Sequence, residues 1–236
     1  MNIVNGIRYF CLSLSLLSFY NLSYAASGEG LGLDVTRVIF PSTDKSISLR
    51  ANNTSSKDIW LLRSWITDYY NGSDKTPFFI TPPITRINQK ESIQLRINKL
   101  SDIDSLPNDR ESVFSINVMG IPPEGKSQNG GSIKIALNTK IKLFYRPEEI
   151  NDKKRVSNLF KDLKVKKISG GVEVENPTPY FATLDKIKVN GKLIEDGDYM
   201  VSPFSSLKIS EKDVRVFTYQ LINDFGGWST PVSIPL

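Results

Sequence analysis

The chain contains no histidine, and its one cysteine, Cys11, lies in the apolar N-terminal segment. Without histidine it cannot form a Ser-His-Asp or Cys-His catalytic group, and without a second thiol it cannot form an internal redox pair. A zinc site built from histidine ligands is excluded for the same reason. These absences rule out most familiar hydrolase mechanisms, and we expect neither a cofactor nor a bound metal.

Long apolar runs are also missing beyond the N-terminus. Residues 1–25 hold one charged side chain, Arg8, followed by a mostly apolar run at 9–20 and a small-residue ending at 23–25. This arrangement predicts a secretory signal peptide that is cleaved near Ala25. The run is shorter than the ~20 apolar residues that cross a bilayer. We therefore expect export to the periplasm and no stable membrane insertion.

Charge of one sign is not concentrated in any segment. The formal net charge is +5, and basic residues alternate with acidic ones along the chain. Even the densest basic cluster, at 161–167, includes Asp162 and apolar residues. Because a nucleic-acid-binding surface gathers positive charge on one face, we predict no nucleic-acid partner.

Short alternating apolar patterns run from residue 31 onward, without a sustained helical period. Such alternation predicts an all-β chain. Turn signals such as Asn71-Gly72 and Pro122-Pro123 divide the strands at the spacing of a β-sandwich. In the second half, Asn190-Gly191 predicts a two-residue hairpin turn.

The longest strand candidate spans residues 132–146, which contain neither glycine nor proline. Ile133, Ile135 and Leu137 share one face of this strand, and lysines occupy the other face. The pattern leaves two interpretations open. Either these apolar side chains fill the core of the protein itself, or they border an exposed edge that pairs with a strand of another chain.

A polar segment at 148–153 interrupts the strand pattern and is the predicted linker between two domains. The predicted organisation is a signal peptide at 1–25, an N-terminal domain at 26–147 that carries the long strand, and a C-terminal domain at 154–236. Paired carboxylates remain possible catalysts, but Glu148-Glu149 lies in the linker, where solvation is the simpler role. We therefore predict that the protein is not an enzyme.

Seven segments carry a family resemblance; they lie at 33–40, 81–83, 106–112, 121–123, 135–147, 176–180 and 222–227. In this order they resemble the periplasmic pilus chaperones of the chaperone-usher pathway. The match spans nearly the whole mature chain, and the ordered set together with a signal peptide is highly specific. The short loop at 123–132 and the lack of mature cysteines are similar to the short-loop subtype of these chaperones.

The resemblance implies two immunoglobulin-like β-sandwich domains that are joined at an angle, with a cleft between them. Pilus subunits in such systems are sandwiches that lack their last strand. The chaperone lends its own long strand to fill the gap, so Ile133, Ile135 and Leu137 would be the side chains that enter the subunit. The implied partners are pilus subunits and an outer-membrane usher.

The resemblance also implies two charged sites. Arg37 and Lys142 match the residues that bind the C-terminal carboxylate of the subunit. A second set matches an interdomain ionic network that fixes the angle between the domains; it consists of Glu111, Arg146 and Asp224. Strict alternation places Lys142 on the opposite strand face from Ile133, so a bend, a bulge or the geometry of the cleft must reconcile the two sites.

The main alternative is a secreted immunoglobulin-like adhesive module or a pilus structural subunit. Subunits of that kind typically carry a cysteine pair and end one strand short, whereas this chain has a complete long strand before its linker. A carbohydrate-active enzyme is a second alternative, and it would require paired carboxylates in a cleft.

Overall fold

A computed structural model describes residues 30–123, 135–194 and 197–236 of the chain. Strands dominate this part of the protein, which confirms the prediction of an all-β chain. The helical segments are short: 3₁₀ turns at Ser101–Ser105, Glu148–Ile150 and Leu159–Lys161, and helix α1 at Lys153–Ser157. No helix within the described ranges is long and apolar enough to cross a membrane.

The first domain consists of two sheets around one apolar core. Its strands are β1 (Leu31–Leu33), β2 (Arg37–Pro41), β3 (Ser46–Asn53), β4 (Trp60–Asp68), β5 (Phe78–Thr81), β6 (Ile84–Ile87), β7 (Ser92–Lys99), β8 (Ser112–Ile121) and β9 (Leu137–Arg146). One sheet has the order β1-β3-β7-β5 and the other has the order β2-β9-β8-β4-β6. Alternate residues of both sheets turn inward. The fully buried core side chains include Leu95, Ile97, Leu62, Ile116 and Leu143.

The second domain repeats this layered arrangement on a smaller scale. Its strands are β10 (Lys164–Ile168), β11 (Gly171–Asn176), β12 (Ala182–Val189), β13 (Lys192–Leu193), β14 (Met200–Val201), β15 (Ser205–Ser210), β16 (Val216–Leu221) and β17 (Val232–Pro235). One sheet has the order β10-β11-β15, and the other has the order β13-β12-β16-β17 with β14 also paired to β12. Val172 and Phe217, one from each sheet, are fully buried in the shared core.

The predicted hairpin turn joins β12 to β13. Val189 pairs with Lys192, so Asn190 and Gly191 are the two central residues of the turn. Their φ angles are 51° and 83°, the positive values that a type I′ turn requires. The sequence prediction is confirmed at this position.

Strand β9 has neighbours of different lengths on its two sides. It pairs with β8 from Leu137 to Tyr145, but it pairs with β2 only from Lys142 to Arg146. On the β2 side, no strand among the described residues covers Leu137–Ile141. The first half of β9 therefore presents a free strand edge, which we call the open edge.

The long strand begins later than its sequence pattern predicts. Residues 132–134 lie outside the described ranges, and Ile135 and Ala136 precede the first residue of β9. The last pair with β8 joins Leu137 to Gly120. Beyond β8 come Pro122 and Pro123, which have no N–H groups to continue the ladder. The last pair of the ladder therefore lies two residues before the first of these prolines.

The predicted linker at 148–153 lies in short helical turns. A 3₁₀ turn occupies Glu148–Ile150, and α1 starts at Lys153. Asp152 caps α1, because its Oδ1 accepts hydrogen bonds from the N–H groups of Lys154 (2.9 Å) and Arg155 (3.1 Å). This segment leads directly from β9 to the second domain.

Candidate functional site: the junction between the two domains

Arg37 and Lys142 lie side by side on the sheet face directed toward the second domain. Arg37 begins β2, and Lys142 is its partner in the parallel β2–β9 pair. Nη1 of Arg37 donates a hydrogen bond to the carbonyl oxygen of Ile222 (3.1 Å). Nζ of Lys142 forms an ion pair with Oδ1 of Asp198 (2.9 Å). The structure thus brings together the two cations that the sequence resemblance singled out.

Arg37 is a buried cation with an unused donor. The residue is 9% exposed, and its guanidinium lies 5.6 Å from the centre of the Phe144 ring. Its Nε–H has no hydrogen-bond partner among the described residues. Burial lowers the pKa of Arg37, while the negative charges of Asp224 and Glu111 oppose the shift. Because a buried donor without an acceptor costs free energy, this position is suited to receive an anionic oxygen.

Lys142 lies in a small cluster of lysine, tyrosine and carboxylate groups. Its side chain is 20% exposed. The amino groups of Lys142 and Lys140 both lie 5.5 Å from the centre of the Tyr69 ring. The Tyr69 hydroxyl donates a hydrogen bond to Oδ2 of Asp198, whose Oδ1 contacts Lys142. Partial burial alone would raise the pKa of Asp198, but the hydrogen bonds from Tyr69 and Lys142 lower it overall.

Glu111, Arg146 and Asp224 form one ionic network between the domains. Nη2 of Arg146 lies 2.7 Å from Oε1 of Glu111, and its Nη1 lies 2.8 Å from Oδ2 of Asp224. The second oxygen of Glu111 accepts a hydrogen bond from the N–H of Phe181 in the second domain (2.8 Å). The three residues are together as expected, and their effect on the domain angle stays a prediction.

The network holds one cation between two carboxylates in a place with little water. The side chains of Arg146 and Glu111 are 4% and 2% exposed. Burial raises the pKa of Glu111, and the charge of Arg146 opposes the rise. For Arg146, burial alone would lower the pKa, but hydrogen bonds and charges from Asp224 and Glu111 raise it overall. No group of three or more Cys, Asp or Glu side chains in the described ranges is placed to hold a metal ion.

Ile135 and Leu137 lie beside the open edge. They are 65% and 64% exposed. Leu137 belongs to the face of β9 that Ile141 and Leu143 turn into the core, so this face continues past the end of the sandwich. The interpretation that these side chains fill the protein's own core is therefore wrong for Ile135 and Leu137. Ile133 lies outside the described residues.

The opposite placement of Lys142 and the apolar face needs no bulge. The β8–β9 register is continuous from Leu137 to Tyr145. Lys142 faces the second domain, whereas Leu137 lies on the face that leads into the core of the first domain. The geometry of the domain junction therefore reconciles the two sites, which was one of the three possibilities left open by the sequence.

Tyr69 and Asp198 are not among the site residues predicted from the sequence. Tyr69 directly follows β4, in the turn that contains Asn71-Gly72, and Asp198 lies in a polar loop before β14. Nothing in either local pattern connects the two residues. They meet only because the two domains pack against each other.

Two family models match the chain. Residues 30–151 match the pili and flagellar-assembly chaperone, PapD N-terminal domain. Residues 158–233 match the pili assembly chaperone PapD, C-terminal domain. Together they span most of the sequence, so the chain belongs to the family of pilus-assembly chaperones of the chaperone-usher pathway.

Individual relatives agree with the family models. The chain is 36% identical over 208 residues to the chaperone protein PapD of Escherichia coli. The aligned region covers 86% of this chain and 85% of PapD. It is 37% identical over 224 residues to the chaperone protein LpfB of Salmonella typhimurium, which covers 92% of each chain. These relatives are chaperones, and the alternative of an adhesive module or pilus subunit is not favoured.

Solved structures show the same two-domain fold. The periplasmic chaperone SfaE is 30% identical in sequence and matches with a TM-score of 0.73. This match covers 88% of this chain and 100% of SfaE. A structure of the Salmonella enterica SafA pilin in complex with the SafB chaperone matches with a TM-score of 0.79 and 26% identity. That match covers 90% of this chain and 99% of the other.

Proposed function

We propose that this chaperone binds a pilus subunit by lending it the open edge of β9, and anchors the subunit's terminal carboxylate between Arg37 and Lys142. The observation that carries the proposal is the coincidence of the two features. The open edge of β9 ends at Ile141, and the next residue, Lys142, is paired with Arg37. A strand that pairs with the open edge in the direction of β2 would end beside both cations.

Exposed apolar side chains supply the affinity for the subunit. Complete burial of a leucine or isoleucine side chain contributes about 1.5–3 kcal/mol. Ile135 and Leu137 are about two-thirds exposed in the free protein. Inserting each of them into an incomplete subunit core would therefore contribute about 1–2 kcal/mol. Ile133 is proposed to act in the same way.

The two cations supply register. A hydrogen bond to a charged group contributes about 1.5–3 kcal/mol, or about 10- to 100-fold in affinity. Slipping the incoming strand by one residue would move its carboxylate away from Arg37 and Lys142. It would also turn the subunit's inward side chains to the other face. One register is therefore favoured over its neighbours.

The chaperone is proposed to act in the periplasm after removal of residues 1–25, and to deliver its subunit to an outer-membrane usher. SfaE is described as a periplasmic chaperone, and SafB is described in complex with a pilin. These descriptions support the proposed compartment and partner.

The test measures binding of the mature protein to a peptide that copies the C-terminal strand of its cognate subunit, with either a free or an amidated end. We expect the amidated peptide to bind about 10- to 100-fold more weakly. Arg37→Ala and Lys142→Ala should remove this difference between the peptides. Leu137→Ala should weaken both peptides equally.

Two substitutions in the second domain serve as matched controls. Leu193, 54% exposed on β13, is the control for Leu137, and Lys192 is the control for Lys142. Leu193→Ala and Lys192→Ala should leave both affinities unchanged. Equal affinity of the wild-type protein for the two peptides would remove the anchor from the proposal. Failure to bind either peptide would overturn the proposed strand pairing.

A further inference from the structure

The anchor lysine already contacts a carboxylate of its own chain. Asp198, from the loop before β14, places Oδ1 2.9 Å from Nζ of Lys142. Its Oδ2 accepts a hydrogen bond from the Tyr69 hydroxyl. One carboxylate from the second domain is thus held by two side chains of the first domain.

The Asp198 carboxylate lies near two lysines of the first domain, Lys140 and Lys142. Lys140 and Lys142 both approach the ring of Tyr69, so two positive charges surround the place that the carboxylate occupies. A neighbouring contact ties the same two segments together, because the hydroxyls of Tyr70 and Ser202 lie 2.9 Å apart. Asp198 is therefore positioned by its surroundings and is not a freely rotating surface carboxylate.

We propose that Asp198 is an internal competitor for Lys142, which occupies the anchor in the free chaperone and yields it to the terminal carboxylate of a subunit. This inference rests on the proposed function of Lys142. If Asp198 remained in place when the subunit carboxylate arrived, two like charges would share one ammonium group and repel each other. Whether Asp198 leaves or stays, its negative charge therefore opposes binding of the subunit carboxylate.

The competition filters incoming chains. A chain with a carboxylate at the correct position replaces the contact that Lys142 loses, whereas a chain without one gains nothing at this site. Asp198 thus lowers the affinity for the correct ligand by a modest factor. When a strand end lies in the wrong register, Lys142 stays paired with Asp198 and contributes nothing to binding. Tyr69 is the positioning residue for this competitor, because its hydroxyl holds the second carboxylate oxygen.

The size of the effect follows from the exposure of the pair. The Asp198 side chain is 56% exposed. Ion pairs of this kind contribute up to about 1 kcal/mol, which converts to a factor of about five at most. We therefore expect Asp198→Asn, which preserves the shape of the side chain, to bind the free-acid subunit peptide about two- to fivefold more tightly than wild type.

The experiment compares wild type, Asp198→Asn and Asp213→Asn with the free-acid and amidated peptides. Asp213 is an exposed residue of the same domain at φ 52°, a backbone conformation that asparagine accepts readily. Its substitution makes the same change in net charge away from Lys142. Of these two variants, Asp198→Asn alone should gain affinity over wild type, and only for the free acid. Tyr69→Phe should give a smaller gain in the same direction, with the thermal midpoint measured to verify folding.

Three results would overturn the inference. The first is an Asp198→Asn variant that binds the free acid no more tightly than wild type, while wild type still prefers the free acid over the amide. The second is an equal gain for the amide or with Asp213→Asn, which would indicate a general charge effect. The third is a wild-type protein that does not distinguish the two peptides; this result would refute the anchoring function itself and, with it, the inference.

Discussion

Replacing Arg146 by methionine should leave the buried carboxylate of Glu111 without its ion-pair partner and destabilise the first domain. In the wild-type protein the guanidinium lies 2.7 Å from Glu111, whose side chain is 2% exposed. Methionine is apolar and fills similar space, but it leaves the charge of Glu111 without its partner. Breaking a buried ion pair from one side costs about 3–5 kcal/mol. Asp224 contributes less to this loss, because its side chain is 28% exposed and stays in contact with water.

The destabilisation should depend on pH in a direction that follows from Glu111. Burial raises the pKa of Glu111 in the folded protein, and in the variant the opposing charge of Arg146 is gone. A carboxyl group whose folded pKa is raised favours the folded state below its unfolded pKa, and this contribution is lost as the pH rises through the folded value. The difference between wild type and Arg146→Met should therefore be largest near neutral pH and should shrink on acidification.

The assay is urea denaturation followed by tryptophan fluorescence, in which Trp60 and Trp65 report on the first domain. With a slope of about 1–3 kcal/mol per molar urea, a loss of 3 kcal/mol lowers the midpoint by about 1 M or more. Adding Glu111→Gln to Arg146→Met should recover part of the loss, because the remaining buried group is neutral. A loss below about 1 kcal/mol that is also independent of pH would refute this account of the network.

Two further predictions concern single sites in the second domain. Gly226 has a φ of 82°, and a Cβ there would lie 2.4 Å from Oγ1 of Thr36, so Gly226→Ala should lower the thermal midpoint. Adding Thr36→Ala should recover the stability lost through the clash, but not the stability lost because alanine is placed in a left-handed backbone conformation, about 1–2 kcal/mol. Full recovery of the thermal midpoint, or no recovery, would contradict this division. Burial raises the pKa of Tyr219 to about 12, so its folded form stays neutral at pH values where free tyrosine ionises, and the stability it contributes is lost as the pH rises from about 10 to 12. Burial also raises the pKa of Tyr69, Tyr145 and Tyr180, so ultraviolet titration should show several late-ionising tyrosines, with one fewer in Tyr219→Phe; an unchanged curve in that variant would contradict the assignment.

Local patterns predicted the strands better than their ends. The alternating apolar patterns from residue 31 onward predicted strands with one buried face, and on β7 the alternating residues Leu95 and Ile97 are fully buried in the core of the first domain. The same pattern placed the start of the long strand too early. The last pair of β9 with β8 joins Leu137 to Gly120, two residues before Pro122, and the position of a proline that follows another strand leaves no trace in the pattern of β9 itself.

The charged sites divide in the same way. No periodicity connects Glu111 with Asp224, and only resemblance to a family brought them into one prediction. Tyr69 and Asp198 escaped prediction, because their contact depends on how two separately folded domains meet and on a loop whose composition is unremarkable for a surface. Sequence patterns indicate which face of a strand is buried. Contacts of this kind depend instead on how two separate elements are placed in three dimensions.

Because β2 covers only the second half of β9, the start of β2 also limits how far a strand on the open edge can extend. Strand β2 begins at Arg37 and pairs with β9 from Lys142 onward. It therefore blocks any incoming strand that pairs with the open edge and continues past Ile141. The open edge, from Leu137 to Ile141, has room for about five residues, or about 17 Å of extended chain. A segment that continues beyond its last paired residue would collide with the start of β2. The position of β2 therefore favours a chain that ends or turns away beside Arg37 over a strand that continues past it.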